Sequence, residues 1–257
     1  MAEDLWVLGD PQGNLSQVTW ALRDNGLVDA AGSWNAGSST LVVVGDLVDR
    51  GPAGLGVIDL CMRLQAQAAG DGGRVVVLIG NHDILLLAAR HFGGPFKADW
   101  LESGGVQTDM DGLDDARVAW LTNLPAMVVE QRVLLMHADA MFYLEYGSSV
   151  SDVNAAFGRV LSSRDADAWE QLLDRFGEHR AFTDPFGEAN LQRYLYAFGA
   201  DRLIHGHTPT PRMAQIAPET ATSAYVYRGG RCVNVDPGIY LGGPGFAYRA
   251  VAATRLP

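Results

Sequence analysis

Five short apolar segments of this chain end in a residue that can ligate a metal. Leu5-Trp6-Val7-Leu8 runs into Gly9-Asp10-Pro11-Gln12-Gly13, and Leu41-Val42-Val43-Val44 into Gly45-Asp46-Leu47-Val48-Asp49-Arg50-Gly51-Pro52. Residues 75–79 lead to Gly80-Asn81-His82-Asp83, residues 133–136 to His137, and Leu203-Ile204 to His205-Gly206-His207-Thr208. One such ending would read as an ordinary turn, with Asp capping a helix and Gly-Pro bending the chain. Their recurrence argues for chemistry. Carboxylate oxygen, amide oxygen and imidazole nitrogen without cysteine suit a pair of divalent first-row cations rather than a structural zinc. Two cations a few ångström apart need a shared ligand, and the carboxylate of Asp46 is the choice for that bridge. Such a pair can clamp a phosphoryl group, acidify a water and stabilise in-line attack.

The elements that must position these residues can be read from the apolar pattern. The strand before Gly45 shows no alternation, so both its faces are covered, as in a parallel sheet of an α/β protein. Open α/β sheets place their ligands beyond the carboxyl ends of such strands. After Gly13, Asn14 and Gln17 have capping-box spacing, and Leu15, Val18 and Leu22 share a helical face that stops at Asn25-Gly26. Residues 30–39 read as a surface loop. A helix is predicted over residues 53–69 with Leu55, Ile58, Met62 and Gln65 on one face, and another over 84–91. Connections of this length make right-handed parallel crossovers. The pattern weakens over 93–123, which is read as a cap over the site. Residues 126–130 and 133–136 form a hairpin opening the second half. Residues 149–198 are mostly helical, Asp165 capping a helix whose Ala168, Trp169, Leu172, Leu173 and Phe176 face the core, and strands follow at 223–227, 231–235 and 246–252.

Composition narrows the possibilities. The 257 residues are 48% hydrophobic, enough for one large core, and residues 1–257 are read as one domain. Thirty acidic against 19 basic residues give a formal charge of −11, which repels a nucleic-acid polymer. Only Cys61 and Cys232 are present, with no CxxC pair, pointing to a reducing compartment. No signal peptide is visible and no apolar run approaches the ~20 residues that cross a bilayer, so a cytoplasmic protein without membrane contact is expected. Nothing reports oligomeric state.

Taken together, Asp10-Pro-Gln-Gly, Gly45-Asp46-Leu-Val-Asp49-Arg50-Gly51, Gly80-Asn81-His82-Asp83, His137-Ala-Asp139 and Gly206-His207-Thr208 resemble, in order and spacing, the motifs of the calcineurin-like metallophosphoesterases. The Asp-Arg-Gly ending resembles the branch of phosphoprotein phosphatases and symmetrical diadenosine tetraphosphate hydrolases. The resemblance implies a four-layer α/β/β/α sandwich of two mixed sheets flanked by helices. It implies that Asp10, Gln12 and Asp46 hold one metal and that Asp46, Asn81, His137 and His207 hold the other. Manganese is preferred for both, although iron or zinc suits the same ligands. His82 would then be the general acid oriented by Asp49, with Arg50, Asn81 and a second arginine on the phosphate. Arg180 is preferred for that second arginine over Arg159 and Arg164. The implied reaction is hydrolysis of a phosphomonoester on a protein or small molecule by direct attack of a metal-bridging hydroxide. The rival is a symmetrical diadenosine tetraphosphate hydrolase, and a third reading is a non-catalytic phosphate-binding scaffold.

Position 12 departs from the pattern, because the family usually has histidine where this chain has Gln12, a weaker ligand. Pro209 likewise stands where many members have another histidine. His205 should point away from His207 and is read as a hydrogen-bonded core histidine. His91 and His179 are read as surface or helix-end residues, and Trp100, Trp120 and Trp169 as packing. Asp109, Asp111, Asp114 and Asp115 are read as a solvated face and helix start, and Asp236 as fixing a loop near the site.

Overall fold

A computed structural model describes residues 4–183 and 185–250. Residues 251–252, the end of the last expected strand, and the amino-terminal tripeptide lie outside the described residues. Strands β1 (Leu5–Leu8), β2 (Thr40–Val43) and β3 (Arg74–Val77) are joined by α1 (Leu15–Asp24) and α2 (Gly54–Gly70). They run parallel, with Leu5 opposite Thr40 and Thr40 opposite Arg74. The chain then forms α3 (Asn81–Phe92), α4 (Gly94–Glu102), α5 (Gln107–Gly112) and α6 (Asp115–Thr122). The second sheet begins with the hairpin β4 (Met127–Glu130) and β5 (Val133–Met136). It is followed by α7 (Tyr143–Tyr146), α8 (Val150–Leu161), α9 (Ala166–Arg175) and α10 (Gly187–Phe198). Strands β6 (Arg202–His205), β7 (Tyr225–Tyr227) and β8 (Cys232–Asn234), with helix α11 (Thr210–Ala214) between β6 and β7, complete it, and β9 (Ala247–Ala250) returns to the first sheet. The two sheets have the orders β3-β2-β1-β9 and β4-β5-β6-β8-β7; the first is parallel except for its antiparallel edge strand β9, and the second is parallel in the middle with antiparallel strands at both edges.

Alternate residues of the strands enter different cores, as the two-residue pleat requires. Val7, Val42, Val44, Val76 and Leu78 face Leu135, Ile204, Val233 and Val235 across the sheet-to-sheet interior. Leu8, Leu41, Val43 and Val77 turn outward against Val18, Leu22, Val57 and Leu64 of α1 and α2, while Leu134 and Met136 turn toward Phe157, Leu191 and Tyr194. The layers are therefore helix, sheet, sheet, helix. Apolar runs without alternation result because both faces are dry. No helix among the described residues is long and apolar enough to cross a membrane.

Three local expectations differ from the structure. Asn14 does not cap α1: the left-handed turn at Gln12 and Gly13 brings the Gln12 carbonyl within 2.6 Å of the Asn14 amide, which donates to it, and Gln17 accepts instead from Ser16. The buried face of α2 is Val57, Ile58, Cys61, Leu64 and Ala68, so Leu55, Met62 and Gln65 lie at its margin. Gln65 is occupied there by hydrogen bonds to Val75 and Trp120. Asp109 is not solvated but buried, its Oδ1 accepting the Leu55 amide at the start of α2. Asp114 and Asp165 do cap their helices, through the amides of Arg117 and Ala168.

Candidate metal and phosphate site

The turns after β1, β2, β3, β5 and β6 meet at one edge of the sandwich. Gln12 and Gly13 donate their amides to the carbonyls of Asp46 and Leu47 at 2.8 and 2.9 Å, stapling the first turn to the second. Asp83 ties the second to the third, accepting the amides of Gly80, Asp46 and Leu47, each at 2.9 Å. Close approach explains two of the glycines that precede ligands. A Cβ on Gly80 would lie 2.3 Å from Asp46 Oδ1, and one on Gly206 would lie 2.0 Å from Asp10 Oδ1. Strain collects here as well. Gln12, Asp46, Asp49, Arg50, Arg180 and His207 all adopt left-handed φ, between 43° and 69°. Each such residue costs about 1 kcal/mol or more, which the surrounding hydrogen bonds must offset.

Four atoms of metal-ligand type converge at the centre. His137 donates Nδ1–H to the Val44 carbonyl at 2.9 Å, which leaves a lone pair on Nε2. That nitrogen lies 3.0 Å from Asn81 Oδ1, 3.3 Å from Asp46 Oδ1 and 3.3 Å from His207 Nδ1. His207 Nδ1 is itself 3.0 Å from Asn81 Oδ1. Burial lowers His137 below the ordinary histidine value, and burial with the neighbouring His137 pushes His207 down to about 3. Burial alone would raise Asp46, but His137, His82 and His207 outweigh it and hold the carboxylate at about 2. Two imidazole nitrogens, an amide oxygen and a carboxylate facing one another suit a divalent cation between them. Asp46, His137 and His207 form the one group of three such side chains clustered tightly enough for this among the described residues.

Asp10 and Gln12 flank this cluster. Asp10 Oδ2 accepts the His207 amide at 2.9 Å, while its buried Oδ1 has no hydrogen-bond partner. Burial, then Asp236 and Asp46, raise the Asp10 carboxyl well above the usual range. Gln12 donates Nε2–H to Asp46 Oδ2 at 3.1 Å and accepts Arg50 Nη1–H at 2.6 Å. His82 lies on the other side, with Nδ1 2.8 Å from Asp49 Oδ2. Burial opposes its charge, but Asp46 and the bond to Asp49 raise it above the ordinary histidine value.

The site opens into a cleft of about 260 Å³ lined by Asp46, Arg50, Asn81, His82 and His207 on the metal side. Arg180, His179, Arg212 and Tyr240 line the rest with Thr208 and Pro209. The structure thus brings Arg180 to the cleft, whereas Arg164 lines a separate cavity with His91 and Trp169. His205 is apart from the ligand cluster, its Nδ1 on the Gly206 carbonyl and its Nε2 on the Tyr227 hydroxyl. Segment 93–123 contributes no lining residue to this cleft. It buttresses the second turn, where Trp100 donates to Asp49 and the Gly104 carbonyl accepts the Arg50 amide. It also helps form, through Phe96, Asp99 and Ser103, a neighbouring cleft of about 280 Å³ that meets the site at Asn81.

Sequence reasoning missed several residues. His179, expected at a helix end, is exposed but faces the cleft, with Arg212 from α11. Tyr240 lies under the Arg50 guanidinium, 4.0 Å from its carbon to the ring centre. Asp139 was seen only as part of a motif. Its Oδ2 accepts the Arg180 amide at 2.9 Å and its Oδ1 the Thr208 hydroxyl at 2.7 Å, so it joins the Arg180 and His207 turns. Its place two residues beyond His137 was the available signal. Tyr240 and Arg212 carried none, since only the folded chain brings them to the turns. Asp236 is buried as expected of a loop anchor, receiving the Gly238 amide, and burial raises it to about 7.

The family model for calcineurin-like phosphoesterases matches residues 4–211. The chain belongs to this family. Among calcineurin-like relatives, a symmetrical bis(5'-nucleosyl)-tetraphosphatase of Neisseria meningitidis is 30% identical over 194 residues, 70% of this chain and 63% of that protein. Shewanella-like protein phosphatase 2 of Arabidopsis thaliana is 35% identical over 83 residues, 32% of this chain and 21% of that protein. The chain thus spans less than two thirds of the length of these curated relatives. The solved cold-active protein-tyrosine phosphatase of a Shewanella species superposes with a TM-score of 0.75 at 22% identity, covering 96% of this chain and 75% of that one. That likeness concerns the calcineurin-like fold. Membership implies divalent metal ions, and the converging ligand-type atoms of Asp46, Asn81, His137 and His207 fit them.

Proposed function

We propose that this chain is a metal-dependent phosphomonoesterase acting on phosphoserine or phosphothreonine in protein segments. The observation that carries the reading is the His82–Asp49 pair beside the ligand cluster, open to a cleft bearing Arg50 and Arg180. In this reading Asp46, Asn81, His137 and His207 hold one cation, and Asp10 and Asp46 offer a second, weaker position beside Gln12. Manganese is the preferred ion. Bound cations supply Lewis-acid polarisation of the phosphoryl group and acidify water. Arg50 and Arg180 hold phosphate oxygens through their planar donor forks, with Asn81 at the cluster's mouth. With Nδ1 engaged by Asp49, His82 has Nε2 to deliver a proton to the leaving oxygen. Its raised pKa supports the charged form that such a donor requires. The unpaired buried Cys61 and Cys232 favour a reducing compartment, and the cytoplasm is proposed on that ground.

A second reading, hydrolysis of a dinucleoside tetraphosphate, is favoured by the cations around the cleft. Arg50, Arg180 and Arg212 together can neutralise more than one phosphate, and the Neisseria relative is named for such an activity.

The test begins with p-nitrophenyl phosphate and metal-stripped protein titrated with manganese. Turnover that appears with metal and disappears in Asp46→Asn supports a metal phosphoesterase. A contest between phosphopeptides and diadenosine tetraphosphate then selects the substrate, nucleoside diphosphate products favouring the second reading. No turnover with manganese, zinc or iron on any of these substrates would reject both in favour of a phosphate-binding scaffold.

A further inference from the structure

We infer that Gln12 is a positioning residue for Arg50 and not a metal ligand, because its single amide cannot serve Arg50 and a cation at the same time. This inference deepens the phosphoesterase reading and rests on it. A guanidinium only donates hydrogen bonds, so the group of Gln12 that meets Arg50 Nη1 at 2.6 Å must be its oxygen. The other end of the amide is then NH2, and it meets Asp46 Oδ2 at 3.1 Å. On this side the shared carboxylate faces an N–H donor, whereas its Oδ1 faces His137 Nε2 at 3.3 Å, the nitrogen whose lone pair is left free by the bond of Nδ1 to Val44. Turning the amide to offer oxygen to a cation would aim NH2 at Arg50, setting donor against donor.

The backbone of Gln12 leaves little freedom to avoid that choice. Its N–H is on the Asp46 carbonyl at 2.8 Å, and its own carbonyl accepts from Gly51 at 3.0 Å and from Asn14 at 2.6 Å. Arg50 is held at complementary points: its amide by Gly104 at 2.8 Å, and its guanidinium by the Tyr240 ring and the Gln12 oxygen. Such a clamp fixes an otherwise flexible side chain with its remaining donors available to the cleft. Metal on the Asp10 side therefore exchanges readily, and metal on the histidine side is retained.

Two binding measurements that need no turnover test this: retained manganese after dialysis, and calorimetric affinity of the manganese-loaded protein for inorganic phosphate. Wild type is expected to retain about one equivalent of manganese. Gln12→Ala should retain the same amount yet bind phosphate roughly tenfold more weakly, the usual size of a lost charged hydrogen bond. In an Arg50→Ala background the same substitution should add no further loss, which a general structural effect would not reproduce. Gln12→His should gain a second retained equivalent and still bind phosphate weakly. The inference is overturned if Gln12→Ala loses retained manganese, if it leaves phosphate affinity unchanged, or if its effect persists without Arg50. Gln12→Met, close in shape, repeats the test should the alanine variant fold poorly. A wild type that retains manganese but binds no phosphate would reject the phosphoesterase reading, and the Gln12→Ala manganese content would still judge ligation.

Discussion

Trp100 and His82 share one carboxylate: the indole donates to Asp49 Oδ1 at 2.8 Å, and the imidazole meets Asp49 Oδ2 at 2.8 Å. Asp49 is completely buried, and Trp100 is equally enclosed beside α3. The helical segment after α3 therefore reaches the proposed proton donor through a single intermediate. Trp100→Phe retains most of the packing but leaves one carboxylate oxygen without its donor. Turnover of p-nitrophenyl phosphate should fall about tenfold or more with KM little changed, matching the loss of one hydrogen bond to a charged acceptor. An unchanged turnover would reduce Trp100 to packing alone.

His82→Asn should retain bound manganese and lose about two to four decades of turnover, the range of a general acid. Asp49→Asn should lose less, since the imidazole survives without its orienting carboxylate. The double variant should match His82→Asn, because residues acting as a unit are not additive. Metal analysis beside steady-state kinetics checks this. Near wild-type turnover in His82→Asn would remove the residue from the mechanism.

The parts of this site that were legible in the sequence are those that end strands. A parallel strand must be apolar throughout, so the first polar residue beyond it stands out, and Asp10, Asp46, Asn81 and His137 were visible for that reason. The bland reading of His205 was legible from alternation alone, and its bond to Tyr227 bears it out. Asp109, Arg212 and Tyr240 were not legible, because each works through a partner far away in the chain. Asp109 serves the first turn of α2, and Tyr240 serves Arg50 from a short turn near the carboxyl-terminal strand. Helix faces were only partly legible. Period fixed the existence of α2 but not which edge of its stripe the sheet would cover.

Asp83 carries the stability of the site more than its chemistry. Its side chain is fully buried and accepts three amides from the turns after β2 and β3. Asp83→Ala would orphan all three, at about 1 kcal/mol or more each. We expect a loss of about 3 kcal/mol or more in urea unfolding, with the denaturant slope unchanged. A loss below about 1 kcal/mol would show that water or a rearranged turn replaces the carboxylate. Asp83→Asn should fall between, since its amide nitrogen opposes at least one of the donors it inherits.

His205→Gln tests the other buried histidine. The histidine bridges the Gly206 carbonyl and the Tyr227 hydroxyl, and glutamine can reproduce one donor and one acceptor. Retained manganese should be unchanged, and stability should fall by about 1 kcal/mol, most of it also lost in Tyr227→Phe. Loss of a metal equivalent in His205→Gln with none in Tyr227→Phe would instead make His205 a ligand.

Asp109 should make stability depend on pH. Burial raises its carboxyl above the ordinary value, against the opposing amide of Leu55. A carboxyl raised on folding binds its proton more tightly in the folded chain than in the unfolded one. Its favourable contribution is therefore fully present below the ordinary carboxyl pKa and lost as pH rises through the raised value. Asp109→Asn carries no such titration and can still accept the Leu55 amide. The thermal midpoint of the wild type should therefore fall relative to that of Asp109→Asn as pH rises above the ordinary carboxyl value of about 4. Measured by calorimetry at matched ionic strength, a constant difference between the two midpoints would mean that the helix start of α2 stabilises the charge as much as burial opposes it, and one of opposite slope that it does so more.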